Sequence, residues 1–383
     1  MRFLVAILLV FLLSSCVGRV SAPVSDKKAE NDPFHVRAKE IAASMDDRLL
    51  AAQILISGID GAESLSENMI KLFTDIPAGG IMLFKYNLNT DNNAIKARNE
   101  RIKALIKNES KIPPFFAVDH EGGTVNRFRK GAADLPAASS YWEIAQEKGK
   151  QAALSKIEAD SFKAGEEIYN LGLNMNFAPV AEYLFAGNRQ FLASRSYGPD
   201  SLFTAQAASA FIRGMEKAGV LCVVKHFPAS AGPDPHSSPS VLDIDKAELD
   251  KLVSPFSAVI KNGARSIMAA HTKASAIDNK IASLSPAVMG KWLRGELGFD
   301  GLIISDDFTM AAAGNTSPED AAVLSVIAGS DMILVWPAHL TKTHNAFIAA
   351  LEDGRLSRER LRDAAQRVIY EKLIMGLIIE DGE

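Results

Sequence analysis

The chain has 383 residues, 48% of them hydrophobic and 23% charged, with a formal net charge of −4. That apolar share is ample for a large buried core and argues against wholesale disorder, and the acidic balance offers no basic face for nucleic acid. Length alone fits either one large domain or two small ones, because α/β barrels run as single domains of about 250 residues or more.

The first residues read as a targeting segment. Arg2 precedes a short apolar run, Phe3 to Leu13, which is shorter than the roughly 20 residues a bilayer-spanning helix needs. The run ends in Leu13-Ser14-Ser15-Cys16, which resembles the lipobox of bacterial lipoproteins. That resemblance implies lipid attachment at Cys16 and an exported, membrane-anchored protein. An ordinary cleaved signal peptide is the alternative. The other cysteine, Cys222, sits in the apolar run Val220 to Val224 and is expected as a buried thiol. Residues 17–37 are expected as a flexible tether, and 38–383 as one catalytic domain.

From Ala38 onward, apolar runs alternate with helical spacing. The runs are Gln53–Ile56, Gly80–Phe84, Phe115–Val118, Asn174–Phe177, Leu221–Val224, Ser266–Ala269, Leu302–Ile304 and Met332–Val335. Continuous rather than alternating apolar runs suit parallel strands covered on both faces. Helical patterns cover Ile95–Ile106, Ser155–Leu171, Thr204–Ala218, Lys246–Ile260, Pro286–Leu297, Pro318–Ala328 and Arg358–Leu377. Eight such units predict a single closed (β/α)8 barrel of the TIM type, with an open doubly wound sheet as the competitor. No G-x-G-x-x-G follows the first run, which weakens a dinucleotide-binding version.

In such a barrel the chemistry sits at the C-terminal ends of the strands. The third run is followed by Asp119-His120-Glu121-Gly122-Gly123, the fifth by Lys225-His226, the sixth by His271 and the seventh by Ser305-Asp306-Asp307. Ionisable groups from separate strands that converge on one mouth are candidates for catalysis. A mixture of Asp, Lys, Arg and His suits a neutral, hydroxyl-rich ligand, since together they donate and accept hydrogen bonds. Asp307 by itself reads as structural.

Seven segments in order then resemble one family. Phe116 to Arg127 is similar to V-D-x-E-G-G-x-V-x-R, Asn176 to Val180 to N-F-A-P-V, Arg195 to Asp200 to R-S-F/Y-G-x-D, and Lys225 to Pro228 to K-H-F-P. Leu284-Ser285-Pro286, Leu297-Gly298-Phe299 and Gly301 to Asp307 follow. The chain from Asp46 onward resembles glycoside hydrolase family 3, in its β-N-acetylhexosaminidase branch. The resemblance implies Asp306 as nucleophile and a sugar subsite of Asp119, Arg127, Arg195, Lys225 and His226. It implies His236 as acid/base, oriented by Asp234 in an Asp-x-His pair on the loop after the fifth strand, with no metal or cofactor and a monomeric enzyme. The ligand would be a saccharide with terminal N-acetylglucosamine, such as a cell-wall fragment.

Two departures stand out. The family's G-H-G after K-H-F-P is Ala229-Ser230-Ala231, on a loop shorter by about two residues with Pro233 and Pro235 flanking Asp234. His120 also stands where the branch usually has Gln. Three rivals stay open: a catalytically impaired glycan-binding lipoprotein, a β-N-acetylglucosaminide phosphorylase, and a metal-dependent hydrolase using His226, His271 and Asp306.

Overall fold

The computed structural model describes residues 32–128, 132–310 and 316–379. The signal segment, Cys16 and most of the expected tether lie outside the described residues.

Eight strands form one parallel sheet: β1 (Leu55–Gly58), β2 (Gly80–Leu83), β3 (Phe115–Val118), β4 (Met175–Asn176), β5 (Leu221–Phe227), β7 (Ser266–Ala269), β9 (Leu302–Ser305) and β10 (Ile333–Val335). Strand order follows chain order around the sheet, and β10 returns to pair with β1. The remaining seam, between β9 and β10, is joined by a parallel bridge from Ile304 to Met332 and by the Ser305 N–H donating to the Met332 carbonyl at 3.0 Å. The sheet therefore wraps into the expected barrel rather than an open sheet. β6 (Ser240–Leu242) and β8 (Thr272–Ala274) lie outside it and pair with each other.

Side-chain parity separates two cores. Phe115, Ala117, Leu221, Val223, Leu302 and Ile304 point into the barrel, with Ile56, Met82, Met175, Phe177, Met268 and Met332. Their neighbours Phe116, Val118, Cys222, Val224 and Ile303 face the helices. Both faces are apolar, which is why the strands read as continuous runs. Cys222 is a free, buried thiol, and burial pushes its pKa up.

The tether expectation is corrected at its end. A helix runs Pro33–Ser44, with Asp32 as N-cap accepting from the Phe34 N–H and Pro33 in the first turn. Asp-Pro is a helix-start signal that outweighs the polar composition before it. His35 meets Tyr370 edge-on at 5.4 Å, docking this helix on the last one, Arg358–Ile374. Among the described residues, four further helices of seven residues or more interrupt segments without assigned structure: Asp47–Gln53, Glu67–Asp75, Ala138–Lys148 and Pro337–Glu352. The expected Pro286–Leu297 helix is wide, closing with the Leu297 N–H on the Trp292 carbonyl five residues back, at 2.9 Å. No described helix is long and apolar enough to cross a membrane.

Candidate active site

The inward parity of the strands carries straight into the mouth of the barrel. Two residues beyond Ala117, Val223 and Ile304 come Asp119, Lys225 and Asp306, and beyond Met82 and Leu334 come Phe84 and Trp336. One cavity of about 190 Å³ collects them all. It is lined by Asp119, Arg127, Arg195, Lys225, His226, His236 and Asp306. Seven of the eight residues predicted for catalysis and sugar binding thus line one wall-to-wall site. The eighth, Asp234, sits just behind and accepts from the His236 ring at Nδ1, 2.6 Å away.

The sugar-subsite candidates form a chain of ion pairs. Asp119 takes Arg127 Nη2 at 2.8 Å on one oxygen and Lys225 Nζ on the other. Burial would raise the Asp119 carboxyl, but Lys225 and then Arg127 overcome it and hold it well below the usual carboxylate range. Lys225 also reaches Glu121 at 2.6 Å. Glu121 accepts both Nε and Nη2 of Arg195 at 2.8 Å, a bidentate pair. Its pKa is also depressed, with Lys225 and Arg195 outweighing burial. Arg195 lies 4.8 Å over the Phe191 ring and 3.5 Å from His226 Nε2.

Two acids that no role was assigned from sequence complete this frame. Glu121 falls within the resembling motif, and only the position of Arg195, 74 residues away, reveals its partner. Glu182 is buried and accepts from His226 Nδ1 at 2.7 Å and the His226 N–H at 3.2 Å. It also accepts from the Ser230 hydroxyl at 3.3 Å and from the Ser230 N–H. A lone acid just after N-F-A-P-V was the available signal, since a charge so close to a buried strand needs partners. Ser230, at the altered Ala229-Ser230-Ala231 segment, is thereby an anchor for the loop that carries Asp234 and His236.

That loop is clasped again at its far end. Ser240 Oγ donates to the Ala231 carbonyl at 2.9 Å, accepts from the Ala231 N–H at 3.0 Å and meets Thr272 Oγ1 at 2.9 Å. Between the anchors Asp234 and His236 are open to solvent, with side chains 55% and 67% exposed. The Asp234 carboxylate is held low: burial, the largest single influence, pushes it up, but hydrogen bonds from the His236 backbone and ring together outweigh it and favour the charged form.

His120 turns away from the cavity. It is fully buried, and its Nε2 donates to the Ala133 carbonyl at 2.7 Å. Its Nδ1 faces the Arg127 N–H at 3.4 Å, and its ring packs edge-on to Phe128 at 5.0 Å. Burial pulls its pKa down to about 4, so it is neutral and steadies the loop that carries Arg127. Gly122 and Gly123 let that loop fold back, with φ of +90° and +54°. A Cβ on Gly122 would come within 2.4 Å of the Pro136 carbonyl oxygen.

At the end of β9, Asp306 Oδ1 accepts the Asp307 N–H at 2.9 Å. Asp307 accepts from Thr309 Oγ1 at 2.8 Å and from the Trp336 indole N–H, and its carbonyl meets His271 Nε2 at 3.0 Å. Asp307 is thus a brace beside Asp306, as its structural reading anticipates. His271 spends both ring nitrogens, on Ser283 Oγ and on Asp307, and His226 Nδ1 is on Glu182. Among the described residues no three His, Cys, Asp or Glu side chains are grouped to hold a metal ion.

The Glycosyl hydrolase family 3 N terminal domain matches residues 48–370. The chain belongs to glycosyl hydrolase family 3. It is a glycoside hydrolase on a TIM barrel, and its curated relatives are named beta-hexosaminidases. A beta-hexosaminidase of Methylococcus capsulatus is 36% identical over 267 residues, which are 67% of this chain and 75% of that protein. One from Stenotrophomonas maltophilia is 34% identical over 289 residues, covering 74% and 83%. Among solved family 3 structures, a β-N-acetylglucosaminidase of Paenibacillus superposes with a TM-score of 0.82 at 28% identity, over 89% of this chain and 64% of that one. The β-N-acetylhexosaminidase of Beutenbergia cavernae gives 0.77 at 28% identity, over 86% and 99%.

Proposed function

We propose that this family 3 enzyme is a retaining β-N-acetylhexosaminidase that removes terminal β-linked N-acetylglucosamine. The observation that carries the reading is the gathering of Asp306 and the Asp234-supported His236 around one cavity with Asp119, Arg127, Arg195, Lys225 and His226.

Asp119 accepts from sugar hydroxyls while its own charge is held by Lys225 and Arg127. Asp306 attacks the anomeric carbon, and the bond to the leaving oxygen breaks as His236 delivers its proton. Asp234 at His236 Nδ1 fixes the tautomer and stabilises the imidazolium, leaving Nε2 for the transfer. Water then gives its proton to the same His236 and attacks the anomeric carbon as the bond to Asp306 breaks, which frees the carboxylate and leaves configuration retained.

Water is the favoured acceptor over phosphate. Lys225, Arg127 and Arg195 in the cavity are each paired with a carboxylate, so these cations have little charge left to attract an anion. The natural substrate in this reading is wall material carrying N-acetylglucosamine, met by a monomeric enzyme exported and tethered through lipid on Cys16. Domain limits of 1–16 for the signal and a tether ending at Asp32 go with it.

An aryl N-acetyl-β-glucosaminide tests the chemistry. Wild type should release the sugar with retention, at a rate indifferent to added phosphate, and Asp306→Ala should lose at least about 10⁴-fold in kcat. Equal rates for the two proteins would leave only a glycan-binding barrel. Labelling cells with a radioactive fatty acid tests the anchor, and label surviving Cys16→Ala would refute it.

A further inference from the structure

The hydroxyl-matching residues occupy one side of the mouth, at the ends of β3 and β5. The other side, at the ends of β2 and β10, is aromatic. Phe84 and Trp336 stack with ring centroids 4.6 Å apart and planes 7° apart, and Tyr86 continues the stack on Phe84 at 5.9 Å and 12°. Phe84 and Trp336 line the same cavity as Asp306. Trp336 remains 37% exposed and Tyr86 48%. A contiguous aromatic surface left open at a cleft marks a place where an apolar face docks.

This shelf is also aimed. The Trp336 indole N–H donates to the Asp307 carboxylate, and the Asp307 N–H donates to Asp306 Oδ1. The ring is therefore fixed relative to the reacting carboxylate, at the seam where β9 meets β10. A glycosidic bond broken at Asp306 has one residue on each side of it. The ion-paired side of the cavity suits the polar edge of the sugar that is retained. The shelf is then the surface that faces the group that leaves.

We infer that Trp336, stacked on Phe84, is the specificity-determining residue for the leaving group, and that it selects a second pyranose ring seated with its apolar C–H face on the indole. The inference rests on the hexosaminidase reading and goes beyond it, since nothing in the acid, base or nucleophile requires a ring on that side.

The test compares two leaving groups on wild type, Trp336→Ala and Trp336→Phe. One substrate is N,N′-diacetylchitobiose, whose leaving group is a sugar ring. The other is methyl N-acetyl-β-glucosaminide, whose leaving group is methanol. Free N-acetylglucosamine is quantified for both. Trp336→Ala should lower kcat/KM on the disaccharide about three- to tenfold more than on the methyl glycoside. Trp336→Phe, which keeps a stacking face but lacks the N–H to Asp307, should recover most of the disaccharide preference. An equal loss on both substrates would make Trp336 merely a brace for Asp307 and overturn the inference, as would no loss at all. A wild-type protein inert on both substrates would overturn the hexosaminidase reading and this one with it. Normal wild-type cleavage with unchanged selectivity in the alanine variant would overturn this one alone.

Discussion

Glu121 offers the sharpest perturbation of the site's electrostatic frame. Its side chain is only 4% exposed, holds Arg195 by two hydrogen bonds of 2.8 Å and lies 2.6 Å from Lys225. Glu121→Gln keeps the shape and removes the charge. The buried Lys225 and part-buried Arg195 are then left to Asp119, which already pairs with Arg127. Breaking a buried pair in this way costs about 3–5 kcal/mol, because a charge is left without compensation. The pKa of Glu121 is depressed in the fold, so its carboxylate contributes stability that is fully present above the unfolded value near 4.5. That contribution is lost as pH falls through the folded pKa. Urea denaturation of both proteins, in a series from pH 7 to about pH 4, should show a gap of about 3–5 kcal/mol at neutrality that starts to shrink below about pH 4.5. A gap under about 1 kcal/mol at pH 7, or one that stays level or widens on acidification, would refute the assignment of Glu121 as the charge that holds Arg195 and Lys225.

Further outcomes follow from other groups. His236→Ala should cost about 10²–10⁴-fold in kcat on substrates with poor leaving groups and much less on an activated aryl glycoside, since only the former need protonation. Asp234→Asn should show the same pattern more weakly, and equal losses across leaving groups in both variants would argue against proton donation by His236. Lys372 is buried at the foot of the barrel, 5.2 Å from the Phe115 ring centroid and 3.0 Å from Gln53 Oε1, and burial lowers its pKa to about 7. Because the unfolded chain holds that proton up to about pH 10.5, wild-type stability should rise as pH climbs from about 7 toward 10, and Lys372→Met should lack this rise in urea titrations.

The barrel was legible because each strand is buried on both faces and so stands out as an apolar run, and because parity continues those runs into Asp119, Lys225 and Asp306. What local sequence could not supply were pairings created by closure. Phe84 and Trp336 end two different runs, and nothing near either residue reports that β10 returns to β1 and sets them face to face. Glu121 and Glu182 likewise owe their meaning to Arg195, His226 and Ser230, which arrive from other strands. The Pro33–Ser44 helix escaped for a different reason. Its polar stretch resembles a linker, and only docking on Tyr370 and Gln366 gives it a buried face.

The clasp between Ala231 and Ser240 bounds how far His236, the proposed proton donor, can lie from the barrel rim. His236 is four residues from Ser240, and a chain advances at most about 3.3–3.6 Å per residue, so its Cα stays within about 14 Å of the Ser240 end however the segment moves. The histidine thus sits on a short leash whose two ends are tied together by the Ala231–Ser240 hydrogen bonds. In the proposed mechanism, reach then limits which glycosidic bonds His236 can protonate. A bond presented at the mouth falls inside the arc, and one held clear of the rim by a bulky branch falls outside it.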